Sequence, residues 1–310
     1  MKQDFPQQGI KTLCRLFGKT RHAWYDHQWR TQDEGLKDEI ILQKVLQIRK
    51  TLPRVGTLKL HYMLHEELQE QQIKVGRDYL FDRMRTHNLH IRRRRRRVIT
   101  TDSKHWMRKY ANLVKDMIVY RPEQLWVSDI TYVRMIGQWG YLSLITDAYS
   151  RKIVGYAFRK DLSAQGCIDA LHMALQSRMY THPLIHHSDR GSQYCCKAYV
   201  DLLKSNKIAI SMTENGDPYE NALAERVNGI LKSEFDLYST NMGLAKSRTL
   251  IAKSIEAYNQ VRPHSSCDYL TPENAHLKQE ILTKRWKKRP IKKREKDTCI
   301  TKSQLTNCDV

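Results

Sequence analysis

LWVSDITYVR (125–134), YLSLITDAYS (141–150) and KIVGYAFRK (152–160) decide the fold of this 310-residue chain. Each run is short and rich in β-branched and aromatic residues, which is typical of a β-strand. Only a few glycine or polar residues separate one run from the next, and connections this short join antiparallel neighbours. The sequence therefore predicts three consecutive antiparallel strands.

Helical and strand-like segments alternate after these three strands. In chain order they are a helix over 163–178, a strand over 183–189, a helix over 192–205, a strand over 208–212 and a helix ending near 237. The last helix begins at Asp217-Pro218-Tyr219-Glu220, where an acidic cap, a proline in the first turn and a glutamate three residues after the cap are helix-start signals. The order β-β-β-α-β-α-β-α predicts an α/β fold, with a mixed five-stranded sheet flanked by helices.

Three acidic residues stand out against this layout. Asp129 lies inside the first strand, Asp189 follows a short apolar strand, and Glu225 lies two turns into the last helix. A carboxylate inside a core strand is costly to bury alone, so it needs a partner. Clustered carboxylates without cysteine or histidine ligands suit a hard cation, Mg²⁺ or Mn²⁺. Two such ions would suit phosphodiester chemistry, since they activate an attacking oxygen and stabilise a leaving one.

The spacing of these residues favours one shared site. Asp189 and Glu225 have 35 residues between them, and Lys232 follows Glu225 by seven residues. Seven residues are about two helical turns, so Glu225 and Lys232 share a helix face. Lys232 is therefore expected to bind DNA beside the acids.

The segments WVSDITY (126–132), HHSDRGSQY (186–194) and ENALAERVNGILKSE (220–234) resemble the three signatures of the retroviral-integrase-like DDE core. More closely, the chain resembles the OrfB-type transposases of bacterial insertion sequences, over about 120–277. That resemblance implies a ribonuclease-H-like fold. It implies that Asp129, Asp189 and Glu225 are the catalytic residues and hold the Mg²⁺ or Mn²⁺. Glu220 departs from the family, which more often has aspartate there.

The resemblance also implies an activity. Such a transposase cleaves DNA at the ends of its insertion sequence and transfers the released strands, with DNA ends and target DNA as partners. It implies a homo-oligomer on DNA and an upstream-frame DNA-binding partner or fusion. Two alternatives stay open: a ribonuclease-H-type nuclease without joining activity, for which Asp147 would be a fourth carboxylate, and a non-catalytic DNA-binding regulator. For Asp147 itself a structural role is favoured.

The N-terminal part predicts small helices that bind DNA. Residues 1–55 are predicted to hold a helix-turn-helix around Gly18 and a further helix over 33–50. Residues 56–97 are predicted to hold a second helix pair, over 57–68 and 75–87, that ends in an unbroken arginine run. A linker with one short helix (98–121) leads to the catalytic core (122–280), and a basic tail (281–310) follows.

Several basic or polar residues are predicted to contact DNA. Arginine runs hold phosphates without reading sequence. Residues near the acids would hold the DNA beside the reacting phosphate. The predicted DNA contacts are Arg77, Arg83, Arg92, Arg93, Arg94, Arg95, Arg96, Arg97, Arg190, Asn221, Arg226 and Lys232. For Arg262 and His264, after a helix over 244–260, the alternatives are a functional contact or an arginine paired to an internal acid.

The distribution of charge supports a nucleic-acid partner. The chain carries 54 lysines and arginines against 33 aspartates and glutamates, a net charge of +21. Residues 1–124 contribute +13, residues 125–280 only +1, and residues 281–310 contribute +7. Two basic arms around a near-neutral block are typical of a protein that meets a polyanion. Seven scattered cysteines without a CxxC pair, and no signal peptide or membrane span, predict a soluble cytoplasmic protein. The resemblance implies that it is bacterial and nucleoid-associated.

Replacing Arg92–Arg97 by glutamine should flatten the salt dependence of DNA binding. Each phosphate contact releases a counterion, so losing contacts lowers the slope of log K against log salt by about 0.9 per contact. Fluorescence anisotropy at several salt concentrations measures the slope. An unchanged slope would contradict a phosphate-binding role for the run.

Overall fold

In the computed structural model, residues 6–91, 106–115, 117–214, 221–237 and 241–283 are described. Their centre is one five-stranded sheet with the order β3-β2-β1-β4-β5. The strands are β1 (Leu125–Met135), β2 (Gln138–Asp147), β3 (Ile153–Arg159), β4 (Ile185–Ser188) and β5 (Ala209–Met212). β1, β2 and β3 are antiparallel neighbours, and β4 lies parallel to both β1 and β5. The predicted mixed sheet of a ribonuclease-H-like fold is confirmed.

Helices cover both faces of the sheet and extend toward the N-terminus. The helices are α1 (Ile10–Leu16), α2 (Arg21–Thr51), α3 (Thr57–Glu70), α4 (Arg77–Thr86), α5 (Ala164–Gln176), α6 (Ser192–Cys195), α7 (Lys197–Ser205), α8 (Ala222–Glu234), α9 (Leu244–Gln260) and α10 (Pro272–His276). No helix in the described ranges is long and apolar enough to cross a membrane.

The alternation of β1 separates two cores. Trp126 faces α5 and α7, where it joins a cluster with Ala170 and Tyr199. Val133, an odd number of residues away and so on the opposite face, packs in the cluster that contains Val227 of α8. On the α5 side the contact is close, because a Cβ on Gly155 would lie 2.1 Å from the backbone oxygen of Ala170. Glycine at 155 is therefore required by the approach of α5 to β3.

The N-terminal helices belong to the same core as α8 and α9. Leu60 and Leu64 of α3 and Leu80 of α4 are fully buried in one cluster with Leu231 and Tyr258. The helices α3 and α4 match the predicted pair. They pack against α8 and α9 through this shared core. Residues 56–91 and the predicted catalytic core (122–280) therefore do not have separate hydrophobic cores.

Two predictions about local structure were wrong, and a third is tested only over the residues that the structure describes. The expected separate helices over 20–50 form one helix, α2, because 26–35 contains no proline and the Lys37–Asp33 pair supports the helix one turn apart. The helix expected over 192–205 is divided at Cys196, whose backbone is extended. The short helix expected in 98–121 is absent from residues 106–115 and 117–121. Part of this segment hydrogen-bonds to β5 instead, through Ala111 and Leu113.

A C-terminal strap over 262–280 is fastened to the sheet by a buried histidine. His276 lies between two buried carboxylates, with its Nε2 3.6 Å from Glu123 and its Nδ1 3.7 Å from Asp147. Ser150 Oγ lies 3.0 Å from the same Nδ1. Burial by itself would lower the pKa of His276, but the Asp147 and Glu123 carboxylates outweigh it and hold the pKa above its usual value.

Replacing His276 by glutamine should destabilise the protein most at mildly acidic pH. A raised pKa contributes stability that is complete below the unfolded-state pKa, about 6.5, and is lost as pH rises through the higher folded-state pKa. The difference in melting temperature between wild type and His276→Gln is therefore expected to shrink between pH 6 and pH 9. Differential scanning fluorimetry measures it, with His172→Gln on the exposed side of α5 as the control. A difference that grows with pH would contradict the charged form.

Candidate functional site

The pairing of β1 with β4 places two of the predicted acids side by side. The parallel register joins Leu125 to Ile185 and Val127 to His187. The same offset of 60 residues sets Asp129 beside Asp189, which follows the last residue of β4. Because side chains alternate along a strand, Asp129 points to the same face as Val127, toward α8.

The helix α8 brings the third acid to this face. Asn221 Nδ2 donates to the backbone oxygen of Ser128 over 3.0 Å, and Asn228 Nδ2 donates to Asp129 Oδ2 over 2.7 Å. Glu225 lies one helical turn from each of these asparagines, so it shares the side of α8 that faces β1. The helix begins at Ala222, and in its first turn the backbone N–H of Glu225 donates to the backbone oxygen of Asn221.

The electrostatics of Asp129 reflect these neighbours. Burial raises the pKa of Asp129 most, followed by the negative charge of Asp189. The hydrogen bonds from Asn228 and from the Ile130 N–H lower the pKa, and Glu225 raises it again. The result is a pKa of about 7. Carboxylates that crowd one face in this way favour a bound cation.

A basic residue completes the stripe on α8. Lys232 is half-buried, and burial lowers its pKa, while Asp129 partly offsets that effect. Asn221, Glu225, Asn228 and Lys232 follow one another at spacings of four, three and four residues, which is one helix face. The role of Asn228 was missed from the sequence, although this spacing could have indicated it.

Asp189 is held by its own turn. The Gly191 N–H donates to Asp189 Oδ1 over 2.9 Å, and a Cβ on Gly191 would lie 3.0 Å from that oxygen. In the ranges that the structure describes, no group of three or more His, Cys, Asp or Glu side chains is arranged so as to hold a metal ion. The three acids thus share one face, and their oxygens do not form a closed ligand shell.

Asp147 belongs to a different region. Asp147 of β2 is the cross-strand partner of Trp126 of β1, so both side chains lie on one face of the sheet. Trp126 is three positions from Asp129, so Asp129 lies on the opposite face. Its oxygens accept from the N–H of Glu123 and from both the N–H and the hydroxyl of Ser150. The favoured structural role fits these contacts. The fourth carboxylate on which the ribonuclease-H-type alternative depended does not reach the other acids.

Two of the residues predicted to contact DNA also have hydrogen-bond partners within the protein. Asn221 is 7% exposed and ties α8 to β1. Arg83 donates to Asp38 over 2.9 Å and lies over the ring of Tyr79, which braces α4 against α2. For both residues the DNA contact stays a prediction, and a sequence pattern does not show that an acid on a distant helix is within reach.

The other predicted DNA contacts have mixed placements. Arg77 and Arg226 are exposed, and Arg190 is half-buried next to Asp189. Arg77 also pairs with its neighbour Asp78. The arginines Arg92–Arg97 and the basic tail from residue 284 lie outside the described residues.

Arg262 takes the internal alternative. It is 1% exposed and donates to both carboxylate oxygens of Glu234 over 2.7 Å. Lys59 of α3 also reaches Glu234, at 3.3 Å. His264 lies against Arg262, and burial together with that positive charge holds the pKa of His264 well below its usual value. Glu234 therefore anchors the C-terminal end of α8 to the N-terminal helices and to the strap.

The chain is similar to integrase core domains and to proteins of insertion sequences. Two family models, both described as integrase core domain, match residues 119–218 and 206–272. The Insertion element IS600 uncharacterized 31 kDa protein of Shigella sonnei is 35% identical over 268 residues, covering 84% of this chain and 96% of that protein. Transposase InsF for insertion sequence IS3A of Escherichia coli is 30% identical over 273 residues, covering 85% and 92%.

Some solved structures are similar to part of this chain. The HTLV-2 integrase catalytic core domain in complex with magnesium is 21% identical and has a TM-score of 0.41, covering 50% of this chain and 97% of that one. A chain of the simian T-cell lymphotropic virus intasome in complex with the PP2A regulatory subunit B56 gamma is 17% identical and has a TM-score of 0.47, covering 76% of this chain and 79% of that one.

Replacing Asp129 by asparagine should stabilise the protein at pH 8 in the absence of divalent ions. The folded-state pKa of about 7 exceeds the unfolded value near 4, so ionised Asp129 destabilises the fold above pH 7. One pKa unit corresponds to about 1.4 kcal/mol, so the melting temperature should rise by at least about 2 °C. Thermal unfolding in EDTA measures this change. The control is Asp201→Asn, at an exposed position of α7. A lower melting temperature for Asp129→Asn would contradict the crowding of like charges.

Proposed function

Because this chain belongs to the family of insertion-sequence transposases with an integrase core domain, we propose that it cleaves DNA at insertion-sequence ends and transfers the released strands. The observation that carries the proposal is the shared face of Asp129, Asp189 and Glu225. Lys232 adds a positive charge at the same face. Carboxylates that can hold metal ions, next to a lysine that can contact a phosphate, suit a site that must accept a phosphodiester.

The residues present fit a divalent metal. Carboxylate oxygens are the ligands that Mg²⁺ and Mn²⁺ prefer. Burial and then the negative charge of Asp189 raise the pKa of Asp129, and a bound cation would offset both effects. Asp129, Asp189 and Glu225 would hold the ions, two in this proposal. When bound, such ions polarise the phosphate and lower the pKa of the attacking oxygen.

The reaction has two displacements at phosphorus. In the first, a water oxygen attacks the scissile phosphate, the bond to the 3′ oxygen breaks, and that oxygen leaves as a 3′-OH. In the second, the 3′-OH attacks another phosphate, loses its proton, and displaces an oxygen from that strand. No protein nucleophile is needed, because each attacking oxygen belongs to water or DNA.

The protein's own side chains orient these groups. Asn228 fixes one oxygen of Asp129, and the Gly191 N–H fixes one oxygen of Asp189, so each acid presents its remaining lone pairs in a set direction. Lys232 would contact a phosphate oxygen of the DNA strand. Arg226 and Arg190 flank the acids and would hold the same backbone further along.

The proposal extends to partners. DNA ends and target DNA are the substrates, and the protein acts as an oligomer that brings two ends together. An upstream-frame DNA-binding protein, separate or fused, would supply end recognition. The basic arms support DNA contact, because they place most of the net charge outside the core.

Asp189→Asn and Glu225→Gln should each lower cleavage and strand transfer by more than about 100-fold, since loss of a residue that merely supports a metal ligand already costs about 10–100-fold. Labelled element-end DNA with Mg²⁺, resolved on denaturing gels, measures both steps. Asp201→Asn and Glu256→Gln, two exposed acids outside the site, are the matched controls. Normal activity of the site variants would sink the proposal, and so would inactivity of wild type fused to its upstream frame.

Metal binding gives a readout that does not depend on activity. Mg²⁺ is expected to raise the melting temperature of wild type and of both control variants. It should have little effect on Asp189→Asn or Glu225→Gln, because each lacks one ligand charge. Equal stabilisation of all five proteins would contradict a metal site at these acids.

A further inference from the structure

The N-terminal half of α2 extends away from the core. Ile41 and Val45 near its C-terminal end are buried in the shared cluster. Every residue over 21–36 is exposed except Trp24, which is half-buried. Sixteen residues of α-helix are about 24 Å long, and an isolated helix of that length is only marginally stable in water.

An apolar stripe runs along this exposed half. Tyr25 is 43% exposed, Trp29 65% and Leu36 63%. Their spacings of four and seven residues place all three within roughly 40° around the helix axis, at about 100° per residue. By the same measure, Ile41 and Val45 lie roughly 160–200° from Tyr25. The stripe therefore faces away from the core of its own chain, and α2 needs an external partner to cover it.

We infer that the stripe packs against the same stripe of a second copy of this chain, with the two α2 helices antiparallel. Arg21 and Glu39 decide the direction. They are eighteen residues apart, about five turns, so they lie along the same edge of the stripe. Both are exposed, and neither forms an ion pair within the described part of the chain.

Antiparallel pairing makes these charges complementary. A parallel two-fold pair would set this edge against the partner's other edge, so Arg21 and Glu39 would not meet. An antiparallel pair centred near residue 30 sets Arg21 against the partner's Glu39 and Tyr25 against the partner's Leu36. Trp29 then lies near the centre, next to the partner's Trp29. Such an isologous contact closes as a dimer with two-fold symmetry.

DNA is a poorer occupant for this surface. Asp33, Glu34 and Glu39 all lie on the exposed length or at its end, and Asp26 adds a further negative charge. Over 21–39 five acids outnumber three bases (Arg21, Arg30 and Lys37), and the resulting net charge of −2 would repel phosphates. An aromatic and aliphatic stripe with mixed charges at its edges is typical of protein–protein contacts. The interface is short, so a dimer in the micromolar range is expected. This inference concerns the free protein and is independent of the proposed chemistry.

Sedimentation velocity of the full chain without DNA tests the dimer. Wild type is expected to pass from monomer to dimer as its concentration rises through the micromolar range. Trp29→Ser and Leu36→Ser should weaken dimerisation at least about tenfold, because central aromatic and aliphatic anchors dominate such interfaces. Leu46→Ser, an exposed residue of the same helix that lies seven residues beyond Glu39 and so outside the paired length, is the matched control. Circular dichroism checks that all variants keep their helices.

Charge reversal tests the direction. Arg21→Glu and Glu39→Arg should each weaken the dimer, and the double variant should restore it, since the reversed pair is again complementary only when antiparallel. A wild type that stays monomeric would overturn the inference, and so would stripe variants that dimerise like wild type or a double variant without rescue. Dimerisation only after adding an upstream-frame protein would also overturn it, because that protein would then be the occupant.

Discussion

One hydrogen bond, from Asn228 Nδ2 to Asp129 Oδ2, joins the helix that carries Glu225 to the strand that carries Asp129. It offsets part of the repulsion that burial and the neighbouring acids impose on Asp129. The rest of the site follows from this connection. Parallel pairing of β1 with β4 determines where Asp189 lies, and the pitch of α8 determines where Glu225 and Lys232 lie.

The far end of α8 is held just as firmly. Glu234 accepts from Arg262 and Lys59, and its backbone oxygen accepts from the N–H of Arg54. Two positive groups share one half-buried carboxylate. Removing Glu234 would leave the buried Arg262 without a compensating charge. This junction connects the N-terminal helices, the catalytic helix and the strap. The position of the proposed catalytic helix is thus tied to the helices predicted to bind DNA.

Much of this arrangement could be predicted from residue patterns. Strands β1, β2 and β3 followed from their β-branched and aromatic runs, and α8 followed from its helix-start signals; α3, α4 and α9 were predicted close to their observed bounds. The continuity of α2 could not, because residues 26–35 are polar apart from Trp29 and Gly35, and one aromatic residue does not make a periodic pattern. The internal roles of Arg83 and Asn221 were missed because their partners, Asp38 and Ser128, are remote in sequence.

By itself, the sequence determined the order of the elements, the three acids and their spacing, because these depend on local periodicity and residue chemistry. Only the tertiary structure decided that Asp147 faces away from Asp129, since one position of register in a sheet reverses the face. It also decided that Arg262 is paired internally, and that the stripe on α2 faces outward. Long-range pairing brings those groups together or keeps them apart, and no local pattern in a single chain encodes it.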